Sequence, residues 1–222
     1  MRHWPLFALR LTTPRLELRL PDLDDLDALA DRAAEGVHDS DAMPFGVPWT
    51  DAPPHERARS TVQFHFRQWG AWSPGDWSCC FVTVWEGQVV GMQAMSAVDF
   101  AVTREISTGS WLGQRFQGRG IGTEMRAAVL HLAFAGLGAR YARSSAFTDN
   151  PRSLAVSRKL GYRDDGLSVH TRRSEAVLQQ RLRLSREEWT APGGFGIHGL
   201  EPCLPLFGID APDGLTGAGR AP

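Results

Sequence analysis

Residues 111–122 read WLGQRFQGRGIG, and no other stretch of the chain constrains its fold as tightly. Gly113, Gly118, Gly120 and Gly122 fall within ten positions, after the apolar run EISTGSWL and before the apolar run TEMRAAVLHLAFAGL. Glycine loses more backbone freedom on folding than any other residue, so this density belongs where bare backbone is needed. A strand that turns through glycines into a helix exposes backbone N–H groups, and the helix dipole adds about half a positive charge at that end. The segment therefore predicts an anion-binding turn between a strand and a buried helix over 123–137. Two nucleotide readings fail on the residues themselves. A P-loop ends in Gly-Lys followed by Ser or Thr, whereas Gly120-Ile121-Gly122-Thr123 holds no lysine. A dinucleotide fingerprint begun at Gly118 finds Thr123 where its last glycine belongs, and RYARSSAF downstream lacks the acidic residue that would hold a ribose.

The flanking pattern builds a sheet around this turn. PRLELRL alternates Leu16, Leu18 and Leu20 with Glu17 and Arg19, the period of a half-buried strand. Asp22 is a candidate N-cap for a helix carrying Leu23, Leu26, Ala30, Ala33 and Val37 on one face, with its exit at Gly36. A second helix is expected over His55–Trp69. WSCCFVTVW and VVGMQAMSAV, joined by EGQ, read as a hairpin, RYARSSAF as a strand, NPRSLAVSRKLG as a helix and AVLQQRLRL as a final strand. This order predicts a mixed sheet with helices on its faces, an α/β (α+β) architecture. Residues 1–190 form one domain in this reading. The segment 191–222 holds 8 glycines and 5 prolines and is expected to be a tail, partly docked or disordered. Pro-Leu-Phe occurs at 5–7 and again at 205–207, which raises docking of both ends on the domain or on a second copy.

With 24 basic against 25 acidic residues, no global positive field exists to hold nucleic acid or an anionic membrane surface. Small molecules or proteins are the expected partners. The three cysteines are odd in number and lack metal-ligand or disulfide spacing, so no metal site and a reducing, cytoplasmic setting are expected. The opening MRHWPLFALRLTTPRLELRL is broken by prolines and arginines and does not read as a signal peptide.

Gln117, Gly120 and Gly122 complete the pattern Q-x-x-G-x-G, and one strand later comes NPRSLAVSRKLGY at 150–162. The pair resembles the acyl-CoA pyrophosphate loop and the following helix of the GNAT acyltransferase superfamily. TTPRLELR and GSWLG resemble its branch that acetylates ribosomal-protein N-termini. RHWPLF, MPFGVPWT, GTEMRAAVL, DNPRSLAVSRKLGYRDDGL and the late PLFG look like an actinobacterial GNAT group that includes a succinyl-CoA-binding succinyltransferase. The resemblance implies a mostly antiparallel sheet of about six or seven strands, splayed in the middle and flanked by about four helices. It implies acetyl-CoA or succinyl-CoA as donor and a primary amine as acceptor, on a peptide N-terminus, a lysine or a small molecule, with a homodimer as one assembly. Residues 109–113 would be a bulged strand whose backbone at Trp111 and Gly113 bonds the pantetheine arm. Trp111, Leu112, Gly113, Gln117, Gly118, Arg119, Gly120, Ile121, Gly122, Thr123, Asn150 and Ser153 are the implied CoA contacts.

For chemistry, the resemblance makes Ser153 the hydroxyl beside the CoA sulfur. Relatives often carry a glutamate four residues before the tryptophan of GSWL; here that position is Ser107. Glu105, two residues earlier and on the same strand face, is the candidate base, ahead of Asp99 and His131. Phe45 and Trp49, on a proline-broken loop, are candidate lids or acceptor contacts, and Ser107, Ser144 and Ser145 are candidate lining residues. A CoA-binding module without catalysis is the rival, because the expected carboxylate is missing.

Overall fold

The computed structural model describes residues 1–209. After a single turn at Pro5–Ala8 come β1 (Arg10–Thr12), β2 (Leu16–Arg19), α1 (Leu23–Glu35), α2 (Pro54–Ala71), β3 (Asp76–Trp85) and β4 (Gln88–Val98). The one-turn α3 (Phe100–Thr103), β5 (Glu105–Leu112), α4 (Ile121–His131) with a π-turn at Leu132–Gly136, and β6 (Tyr141–Phe147) follow. The chain continues through α5 (Pro151–Lys159), β7 (Arg163–Arg172), β8 (Glu175–Ser185) and β9 (Gly196–His198). Among the described residues nine strands form one sheet in the order β7-β8-β6-β5-β4-β3-β2-β1-β9, in which only β5 and β6 run parallel.

The mixed, mostly antiparallel sheet agrees with expectation, while its nine strands exceed the six or seven expected. The surplus has a physical cause. β1 and β9 are three residues each, too short to show alternation. β7 is an edge strand exposed along most of its length, so no apolar face marks it.

Helix α1 begins as its sequence dictates. The Asp22 carboxylate accepts from Asp25 N–H (2.8 Å), and the Asp25 carboxylate accepts in return from Asp22 N–H, a reciprocal capping box. Leu26, Leu29, Ala30 and Ala33 are buried, but Leu23, expected on that face, is 68% exposed because it overhangs the end of the packed stripe. One core cluster joins Leu29 of α1 to Cys80, Val82, Val89 and Met92 of the β3–β4 hairpin. The larger cluster, which includes Met125, Val129 and Phe134, fills the space between α4 and the sheet.

The sheet forks in the middle. β5 and β6 pair only through Glu105–Ser107 and Tyr141–Arg143; beyond that point β5 stays with β4 and β6 with β8. The bulge expected in β5 is absent, since the β4–β5 register is unbroken from Ser96 opposite Ser107 to Gly91 opposite Leu112. The extra residue is Val90 of β4, between the pairs Thr83–Gly91 and Val84–Val89. Beside it the strands crowd: a Cβ on Gly91 would stand 2.3 Å from the Trp111 carbonyl oxygen, so only glycine fits there.

Residues 196–207 pack onto the domain. β9 pairs with β1, Cys203 and Phe207 are buried, and Trp72 Nε1 donates to the Leu206 carbonyl (2.9 Å). The two Pro-Leu-Phe copies meet at the end of α2, where Phe7 stands against Trp69 and Phe207 against Trp72. The remainder of the expected tail, 210–222, lies outside the described residues. Among the described residues no helix is long and apolar enough to cross a membrane, and no group of His, Cys, Asp and Glu is placed to hold a metal ion.

Candidate active site

Where β5 ends, the chain makes a short 3-10 turn at Gln114–Phe116 and enters α4 through Gly118 and Gly120, both left-handed at φ +74° and +79°. No side chain caps α4. Thr123 and Glu124 return their N–H groups to the Gly120 carbonyl, while Ile121 and Gly122, at the first two helical positions, have no intrahelical acceptor. Gln117 holds this turn in place. Its Nε2 donates to the carbonyls of Val37 (2.7 Å) and Leu112 (3.1 Å), and its Oε1 accepts from Arg152 at the start of α5 (3.1 Å). The expected ligand contact at Gln117 is thus, in the structure, a brace between three elements.

Three guanidinium groups surround the turn. Arg15 bonds the Arg119 carbonyl (3.1 Å), pairs with Glu124 and reaches within 3.3 Å of where a Gly120 Cβ would stand. Arg119 lies over the Trp85 ring, and Arg152 is exposed on α5. Arg115 instead faces Glu35 and the Phe116 ring. Arg15 and Arg152 lie far from the loop in sequence, and only folding brings them to it.

The fork presents a specific set of peptide groups. Gly113 N–H donates to the Val90 carbonyl and Gly113 C=O accepts from Phe116 N–H, both at 2.9 Å. Alternation along an antiparallel ladder then aims the peptide groups of Trp111 at β4 and those of Ser110 and Leu112 into the fork. The backbone expected at Trp111 and Gly113 is therefore committed within the protein, and the fork-facing groups lie one residue away. On β6, Thr148 N–H bonds Leu178 O, so the same alternation turns the peptide groups of Ser145 to the fork.

Side chains divide between the two faces of the sheet. Toward α4 and α5 point Thr108, Ser110, Leu112 and the buried Ser144, which is 6% exposed and lies on the opposite face of β6 from Ser145. Ser144 is thereby removed from the lining expected of it. On the other face lie Glu105, Ser107, Gly109 and Trp111 of β5, with Arg143 and Ser145 of β6. Glu105 is on the closed side of the fork, 3.0 Å from Arg183 and 4.0 Å from Arg143. A carboxylate engaged by two guanidinium groups is placed to organise them, not to take a proton from an amine in the open fork.

A loop of residues 37–53 covers this second face. Trp49 stands 5.7 Å from Trp111 and 5.3 Å from Phe45 between ring centroids, and His38 Nε2 is 2.7 Å from Thr50 Oγ1. Gln114 N–H and Nε2 tie the loop to the glycine turn through Gly36 and Asp39. The β7–β8 turn clasps it from the other side: Arg172 donates to the Met43 carbonyl (2.9 Å), and Arg173 pairs with Asp51. Arg172 also pairs with Asp149 and lies over Phe147, and each arginine holds its carboxyl partner below the usual range. Nothing in the sequence pattern marks these clasps.

At α5 the Asn150 carbonyl oxygen Oδ1 accepts from Ser153 N–H (3.1 Å), and Pro151 takes the first helical position. Arg152, between Asn150 and Ser153, bonds Gln117, so the start of α5 stands beside the glycine turn at the fork. Residues 15–163 match the family described as "Acetyltransferase (GNAT) domain". The chain belongs to that family. Solved structures share the GNAT fold across most of their length. An acetyltransferase (GNAT family) from Bacillus anthracis is 18% identical, with a TM-score of 0.65 over 81% of this chain and 99% of the other. RimJ of Mycobacterium smegmatis, in complex with CoA-disulfide, is 17% identical with a TM-score of 0.63 over 83% and 90%. The Microcin C7 self immunity acetyltransferase MccE, in complex with acetyl-CoA and AMP, is 15% identical with a TM-score of 0.60 over 78% and 93%.

Proposed function

We propose that this GNAT chain transfers an acetyl or succinyl group from a CoA thioester to a primary amine, by direct attack in a ternary complex. One observation carries the reading: the β5–β6 fork opens beside the uncapped start of α4, so an anion site and a slot for an extended thioester arm share one cleft. The pyrophosphate sits at the N–H groups of residues 118–122 with Arg15, Arg119 and Arg152 around it. The arm runs into the fork along Leu112 and Ser110. The neutral amine enters from the face under Phe45 and Trp49, and its nitrogen attacks the thioester carbon. The Ser110 N–H, aimed into the fork, is the donor for the oxyanion that forms. The C–S bond then breaks, Ser153 supplies a proton to the thiolate, and water takes the proton lost by the amine.

A carboxylate-bearing donor is favoured by Arg143 and Arg183, which stand on the amine-side face with only Glu105 between them. The three cysteines, all buried free thiols, support a reducing compartment. The rival reading, a CoA-binding module, is favoured by the engagement of Glu105, the one acid at the head of β5. Thiol release measured with acetyl-CoA and succinyl-CoA against peptides, free lysine and small amines decides between them. Turnover with any amine supports the transferase, and tight CoA binding with no thiol release from any pair supports the module.

A further inference from the structure

Arg126 of α4 is 5% exposed and has no carboxylate partner among the described residues. Its Nη1 donates to Ser157 Oγ on α5 (2.7 Å) and its Nη2 to Ser110 Oγ on β5 (3.1 Å), while its Nε is buried without an acceptor. Burial pushes its pKa down, yet a guanidinium remains charged at any neutral pH. A buried positive charge held only by hydroxyls is costly, and breaking or forming such a site is rarely neutral. Its position is specific. Ser110 is the residue whose peptide groups face the fork, and Ser157 lies one helical turn beyond Ser153 on the same face of α5. Tyr162 OH and Thr108 Oγ1, 3.4 Å apart, complete a seam of hydroxyls at the point where β5 and β6 part.

We propose that Arg126 is the cation that stabilises the departing CoA thiolate. This rests on the transferase reading above. The charge lies on the α4–α5 side of the fork, the side from which the CoA arm enters, so it meets the sulfur end of the arm and not the amine. As the carbon–sulfur bond breaks, the electron pair goes to sulfur, and a fixed guanidinium across the fork favours that anion before Ser153 protonates it. The ligand recognised is the thiolate of CoA itself. Arg126 therefore lowers the pKa of the bound CoA thiol by the ordinary effect of a nearby opposite charge in a desolvated site.

The test uses the full chain and free CoA. Calorimetry first establishes binding, and thiolate absorbance of the bound CoA is then followed against pH. The expected result is a bound thiol whose thiolate fraction at pH 7 exceeds that of free CoA by about tenfold or more. Arg126→Met should return the thiol to its free value, lower kcat by about tenfold or more, and leave CoA affinity at acid pH within about threefold. It should melt no lower than the wild type, because an apolar chain of similar length replaces a buried charge that has no carboxylate partner among the described residues. Arg126→Lys should restore part of the thiol shift. A bound CoA thiol that titrates as in solution overturns the proposal without any variant, and so does an Arg126→Met protein that keeps the shift. Failure of CoA to bind at all would instead overturn the donor-site reading.

Discussion

The indole rings of Trp49 and Trp111 stand with centroids 5.7 Å apart at an angle of 51°, one on the loop after α1 and the other at the end of β5. Trp111 is held from behind by its packing on the Leu29–Val82–Met92 cluster, and Trp49 is carried by the loop that Gln114, Arg172 and Arg173 tie down. The pair covers the face of the sheet opposite α4 and leaves the peptide groups of Ser110 on the fork edge.

Trp49→Ala should therefore act on the acceptor and not on the donor. We expect KM for the amine to rise by about tenfold, with the acyl-CoA dissociation constant unchanged, as loss of binding to one substrate alone requires. Bisubstrate kinetics combined with calorimetry check this, and an equal loss of CoA affinity would move Trp49 to the donor side.

Gly120 has φ +79° at the start of α4, and a Cβ there would press on Arg15 at 3.3 Å. A β-branched residue is strained at that angle whatever the space, so Gly120→Val should distort the anion-binding turn. Acyl-CoA affinity should fall at least about tenfold, or about 1.4 kcal/mol. Calorimetry on a variant with native circular dichroism measures it, and unchanged affinity would place the pyrophosphate elsewhere.

The glycine turn and the helix starts were legible because their signals are local. The glycines that turn β5 into α4, the Asp22 cap of α1 and the Asn150–Pro151 start of α5 each depend on residues within a few positions. What escaped depends on residues far apart. The extra residue lies in β4, at Val90, and not in β5, whose unbroken pairing with β4 leaves the peptide groups of Ser110 on the fork side, and no composition marks a bulge of that kind. Glu105 looked free in sequence because its partners Arg143 and Arg183 come from β6 and β8. Arg172 and Arg173, on a strand turn exposed to solvent, gave no sign that they hold Met43 and Asp51 across more than 100 residues.

His65 of α2 is fully buried, both ring nitrogens lack a partner, and burial pushes its pKa down to about 4. Between pH 6.5 and pH 4 the unfolded chain takes a proton on this ring that the folded chain refuses. Stability is therefore complete above pH 6.5 and is lost as pH falls, by about 3 kcal/mol in all from this residue. His65→Leu should flatten the fall between pH 6.5 and 4 in urea unfolding measured at several pH values. An unchanged slope would show that His65 gains solvent access before the chain unfolds.

Ser153 offers the sharpest test of the chemistry, because its structural and chemical parts can be separated. The bond to Asn150 uses the Ser153 backbone N–H, so Ser153→Ala removes the hydroxyl and keeps the helix cap. A hydroxyl that gives its proton to sulfur acts only as charge builds in the transition state, and contributes little to the bound ground state. The variant should lower kcat and kcat/KM together while leaving acyl-CoA affinity nearly unchanged. The loss should be about ten- to a hundredfold, at the low end for a general acid, since a thiolate is a tolerable leaving group and water can replace the hydroxyl. Ser153→Cys, which keeps a donor in the same place, should recover part of the rate, whereas Asn150→Ala should lower the melting temperature through loss of the cap. A Ser153→Ala protein that folds, binds CoA and turns over at the wild-type rate would leave Ser153 as a residue of the helix start and assign the proton to solvent.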